Sequence, residues 1–219
     1  MFSLLFPSIL LFLVWFLFFF LSHTTRKEQI IMSLAGLILS PAMLLVSLGD
    51  VEGTNQTLGS VGIEDLLFAF SFFGIAAVIY QALLGKRMKP WKGKHTLFFH
   101  PVVHWFAHLI IVLAVWVILS FAFLTIFSLT SLHAFVVAGL LIGTFTIAHR
   151  HDLFLNAVAS GVFITLLLFA LEKIFAARWS VDSSLPAISS DSLAPWVWIW
   201  VVGFVIGPLY EHLRHQKLV

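Results

Sequence analysis

"GIEDLLFAFSFFGIAAVIYQALL", Gly62 to Leu84, decides the fold. After Glu64 and Asp65 it carries no charged residue at all. A membrane span needs about 20 mostly apolar residues, and this run supplies them at the 1.5 Å rise of a helix. The two acids at its front are the anomaly, because an ionised carboxylate inside lipid is costly and marks a functional candidate.

Outward from this run the same pattern recurs. Six further apolar stretches read as spans, about Phe2–Ser22, Ile30–Leu48, Leu97–Phe123, Leu132–Ala148, Leu153–Phe175 and Leu193–Leu213. The chain is 61% hydrophobic and 10% charged, far below the roughly 25% charged of soluble domains. The reading is one all-α integral membrane domain of seven helices over residues 1–219, a multi-pass protein of the cell membrane with the lipid bilayer as its solvent. Cysteine is absent, which removes disulfides, thiolate metal sites and thiol nucleophiles. There is no glycine-rich phosphate loop and no basic stripe with interleaved aromatics. Nucleotide and nucleic-acid partners are therefore not expected, and no cofactor is called for.

The connecting segments set the orientation. Ten of the twelve basic residues fall on one side: Arg26, Lys27, Lys86, Arg87, Lys89, Lys92, Lys94, Arg150, Arg214 and Lys217. Lys173 and Arg178 fall on the other, with Asp50, Glu52, Asp182 and Asp191. Cytoplasmic loops collect Lys and Arg, so the N-terminus is expected outside and the C-terminus inside. The first run lacks a basic flank before it and a small-residue cleavage site, so it is expected to be a retained helix.

A weak internal similarity runs through the chain. Arg26-Lys27-Glu28 precedes span two and Arg150-His151-Asp152 precedes span six, 124 residues later. Tyr80-Gln81 closes span three and Tyr210-Glu211 closes span seven, 130 residues later. Spans one to three and five to seven would then be parallel repeats, an arrangement known in membrane folds. Taken locally, Glu28 and Asp152 are anions at helix N-termini, where the macrodipole favours them. Tyr80 and Tyr210-Glu211 read as structural, or as a second polar site.

Glu64 and Asp65 admit two readings. Both can simply sit at a helix N-terminus near the outer face. Alternatively one turns inward, since adjacent helical residues point about 100° apart. A carboxyl buried beside another anion keeps its proton. Such an acid can protonate a carbon–carbon double bond in a dry, aromatic-lined pocket, without metal or nucleotide. Phe68, Phe70, Phe72, Phe73, Trp196, Trp198 and Trp200 are available to face the resulting cation.

The stretch "GIEDLLFAFSFFGIAAVIY" resembles the membrane lycopene cyclase domain family, whose signature is Pro-x-Glu-Glu or Pro-x-Glu-Asp opening an aromatic-rich helix. "AHRHDLFLNAVASGVFITLLLF" and "GPLYEH" are similar to bacterial members carrying this domain. The resemblance implies two similar halves, a carotenoid or other polyisoprenoid as partner, proton-initiated cyclisation, and Glu64 and Asp65 as its catalytic acids. Gly62 stands where the family has proline. The second half carries Ala194 and Pro195 opposite the acids, and Asp191 is the nearest carboxylate. The missing acid set is compatible with an altered substrate, with a homo- or hetero-oligomer in which another subunit supplies it, or with a non-catalytic isoprenoid-binding role.

A second chemistry competes. His100, His104 and His108 recur every fourth residue, and His149, His151 and His212 fall near the same face. Imidazoles at i, i+4 can share a metal, so a metal-dependent membrane oxygenase with His100, His104, His149 and His151 as ligands is the alternative. A covalent retinal pigment is excluded, because the seventh run has no lysine for a Schiff base.

Overall fold

The computed structural model describes residues 5–48, 62–85, 88–90, 101–175, 193–214 and 216–218. Among them are seven α-helices: α1 (Leu5–Leu21), α2 (Arg26–Leu48), α3 (Ile63–Leu84), α4 (Pro101–Phe127), α5 (Ser131–His149), α6 (Phe154–Phe175) and α7 (Ala194–Arg214). A 3-10 turn, His151–Leu153, joins α5 to α6. Five helical segments are long and apolar enough to cross a membrane: Ile63–Leu84, Phe106–Phe127, Ser131–His149, His151–Ile174 and Trp196–Leu213. Helix α1 is equally apolar but shorter.

The helices fall on the expected runs, with informative differences at their ends. Helix α2 begins four residues before Ile30, taking Glu28 into its first turn. Charged residues end a hydropathy run without ending a helix, because an acid in the first turn is favoured there. The two strands β1 (Met88–Pro90) and β2 (Gln216–Leu218) were not expected; they pair antiparallel, with Lys89 opposite Lys217. They follow α3 and α7, which finish side by side, so the chain leaving each helix meets the other.

Helices α3 and α7 form the centre. Every residue of α3 from Ser71 to Gln81 is buried, as is every residue of α7 from Val201 to Glu211. Helix α3 packs on α1 and α2, and α7 packs in the same manner on α5 and α6. The central helices also pack on one another, while α4 lies outside against α5 and α2.

Small residues set these close approaches. A Cβ at Gly74 would collide with Ser33 Oγ and Trp15 Nε1. Those two atoms are themselves hydrogen-bonded at 2.9 Å, locking α1, α2 and α3 at one crossing. A Cβ at Gly36 would strike the Phe73 side chain at 2.8 Å, and one at Gly203 would strike the Ser160 carbonyl oxygen at 2.9 Å. Position 160 lies 124 residues after 36, and 203 lies 130 after 73. A close helix–helix contact thus occurs at matching offsets between α2 and α3 and between α6 and α7, with the glycine on opposite partners. On the outside, Trp116 Nε1–H donates to the Phe135 carbonyl at 3.1 Å and ties α4 to α5.

Candidate functional site

Because α2 starts where α3 stops, and α6 starts where α7 stops, the first turns of one pair adjoin the last turns of the other. That geometry gathers Glu28 (α2), Gln81 (α3), Asn156 and Ser160 (α6) and Glu211 (α7), all at most 2% exposed. These polar side chains lie inside a bundle whose other interior residues are largely apolar.

The hydrogen bonds converge on two carboxyl groups. Gln81 Nε2–H donates to Glu28 at 3.2 Å (Oε1) and 3.0 Å (Oε2), and to Glu211 Oε1 at 2.5 Å. Asn156 Nδ2–H donates to the same Glu211 oxygen at 2.8 Å and to the Gly207 carbonyl at 3.2 Å. Ser160 Oγ–H donates to Asn156 Oδ1 at 3.0 Å, which fixes the amide's orientation. Arg150 borders the cluster without facing its carboxyls in an ion pair. Its Nη1–H donates to the Glu211 backbone carbonyl at 2.9 Å, and its Nη2 pairs with Asp152 Oδ2 at 2.7 Å.

Acceptors outnumber donors here. Glu211 Oε2 and Gln81 Oε1 are buried and have no hydrogen-bond partner among the described residues. Neither Glu28 nor Glu211 makes an ion pair there. Two ionised carboxylates sharing one amide, buried and with no cation paired to either among the described residues, would be strongly destabilised. One proton added to the pair removes the repulsion and turns an acceptor oxygen into a donor.

The acids singled out by the sequence lie at the opposite end of α3, about 26 Å away at the helical rise. Glu64 and Asp65 are both half-buried. Asp65 Oδ2 accepts the Gly62 backbone N–H at 3.0 Å, a helix-capping contact, and the Glu64 backbone carbonyl accepts Ser8 Oγ–H at 2.8 Å. The aromatics are shared among several contacts. Phe68, Phe72 and Trp198 stack in series at 5.6 and 5.8 Å, while Phe70 meets Trp15, Trp196 meets Phe169 and Trp200 meets Phe204.

His100 and Asp191 lie outside the described residues, as do the side chains of His104, Ala194 and Pro195. His108, His149 and His151 are exposed, and His149 packs its ring on Phe145 at 4.4 Å. Among the described residues no group of three or more His, Asp or Glu side chains is placed to hold a metal.

No family model, curated protein or solved structure matches the chain. The site's sequence signal is the pair of offsets, which matches Glu28 to Asp152 and Gln81 to Glu211 but does not make neighbours of Glu28, Gln81 and Glu211. Asn156 and Ser160 carried no signal of their own in an apolar run.

Proposed function

We propose that the chain is a multi-pass membrane protein, N-terminus outside and C-terminus inside, that acts on a carotenoid or related isoprenoid by acid–base chemistry. Its proton is held between Glu28 and Glu211. The observation that carries this reading is the single amide of Gln81 joining two buried carboxyls, with Gln81 and Glu211 on helices long and apolar enough to span a bilayer. The sequence resemblance supplies the substrate class, and the duplicated contacts at positions 36–73 and 160–203 support two parallel three-helix repeats.

The step balances without a co-reactant. A carboxyl O–H adds its proton to a terminal double bond. The electrons of a second double bond close the ring onto the cationic carbon. A carboxylate then removes a neighbouring proton, so product and substrate are isomers. Burial of the cluster's side chains, each at most 2% exposed, limits the access of bulk water to the proton.

Expression in a lycopene-accumulating bacterium tests this reading. The intact protein is expected to yield cyclised pigment, and Glu211→Gln and Glu28→Gln are expected to abolish it. Loss in Glu64→Gln with retention in Glu211→Gln would transfer the proton donor to the pair named by the resemblance. Unchanged lycopene with the intact protein would reject lycopene cyclisation.

A binding role without catalysis has an observation of its own. A groove of about 290 Å³ runs between α2 and α4, lined by Ala35, Leu39, Leu109, Leu113 and other apolar side chains. Pigment or isoprenoid co-purifying with the intact protein, and equally with Glu211→Gln, would favour that role.

A further inference from the structure

We propose that the Glu28–Gln81–Glu211 cluster is a proton-operated clasp between the two three-helix units, closed when the carboxyl pair carries a proton and loosened when both are ionised. Gln81 and Glu211 occupy corresponding places on α3 and α7, 130 residues apart, and they touch. Corresponding positions that touch must lie at the axis relating the two units. The same Gln81 nitrogen also holds Glu28 of its own unit. One amide thus bridges a carboxyl from each side of the boundary.

Elsewhere along the boundary the packing is apolar, as in the stacking of Phe72 on Trp198 at 5.8 Å. Such contacts do not respond to pH. The polar end does, because two anions held against one amide repel across the boundary itself. Among the described residues, the other titratable or charged groups near this end are His23, Arg26 and Lys27 where α1 passes into α2, Tyr80 on α3, Arg150 and Asp152 at the α5–α6 junction, His149 on α5, His151 in the 3-10 turn, and Tyr210 and His212 on α7. Lys89 and Lys217 occupy the adjoining strands. Arg150 is committed to Asp152 and to the Glu211 backbone carbonyl. Asp152 keeps 29% of its side chain exposed, which puts the cluster close to water at this end.

The clasp rests on the same proton-holding reading of the cluster, but not on any substrate. The chain has no native cysteine, so spin labels can be placed one per unit. Leu84→Cys on α3 and His151→Cys beside α6 are both exposed at this end. Pulsed electron–electron resonance in lipid nanodiscs is expected to give a longer mean distance at alkaline than at acidic pH. Adding Glu28→Gln and Glu211→Gln is expected to keep the short distance at both. If the double variant does not purify, Glu211→Gln alone serves, since it too leaves at most one charge on the pair. A distance that ignores pH in the otherwise native protein overturns the clasp. So does an undiminished shift in the glutamine variants. The measurement involves no turnover, so a failed cyclisation assay leaves it standing, and a rigid pair of labels leaves the cyclisation assay untouched.

Discussion

Gln81 is the residue on which the site turns. Its neutral amide lets two carboxyls approach where a third acid would not. Glu211 stands 130 residues on, closing α7 as Gln81 closes α3, so Gln81→Glu would make the two positions alike and set three carboxyls together. Each ionisation then adds repulsion in a low-dielectric site, and stability must fall as pH rises. The expected outcome is a variant that melts near the native temperature in acid and progressively lower toward alkaline pH, measured by scanning fluorimetry in detergent. Equal melting shifts at all pH values would show that these side chains do not meet. Asn156→Leu removes a donor from Glu211 and from the Gly207 carbonyl at once. Leaving buried acceptors unsatisfied costs about 1–3 kcal/mol, so a clear loss of thermal stability is expected. The residue types of this site stood in plain view in the sequence. Their meeting did not, because nothing in a linear pattern says that the last turn of one span lies against the first turn of another.

At the scale of elements, hydropathy located all seven helices because each is apolar enough to stand out from its flanks. It erred at the ends, where Arg26, Lys27 and Glu28 belong to α2 although they end the apolar run. Which faces pack is decided by small residues that a hydropathy profile does not weigh. Gly74 lies where Trp15 and Ser33 close over α3, and the added Cβ has no room. Gly74→Ala is expected to destabilise the fold by about 1–3 kcal/mol through overpacking. Gly85 gives the control. It ends α3 with φ of 63°, and a Cβ there would meet nothing within 4 Å. Gly85→Ala is expected to lose no more than about 1 kcal/mol, from backbone strain alone. Denaturation of both variants in one detergent checks the ranking, and a Gly74→Ala no worse than Gly85→Ala would mean that α1, α2 and α3 do not cross so closely.

For the whole molecule, the distribution of charge and the position of the cluster bear on each other. Among the described residues, Arg26, Lys27, Lys89, Arg150, Arg214 and Lys217 belong to elements at the Gln81 end, so a positive-inside orientation turns the carboxyl pair toward the cytoplasm. The acid pair Glu64 and Asp65 then faces outward, where an anion at a helix start is favourably placed and needs no burial. Sidedness therefore decides which compartment the cluster adjoins, and it can be measured directly. Single cysteines at Thr24 and His151, both exposed at the Gln81 end, and at Leu193, 81% exposed at the other, place reporters on opposite sides. A membrane-impermeant maleimide added to intact cells is expected to label Leu193→Cys and to spare Thr24→Cys and His151→Cys until the membrane is opened. The reverse pattern would put the carboxyl pair beside the external medium. Its proton would then be drawn from outside, and the clasp would respond to external rather than cytoplasmic pH.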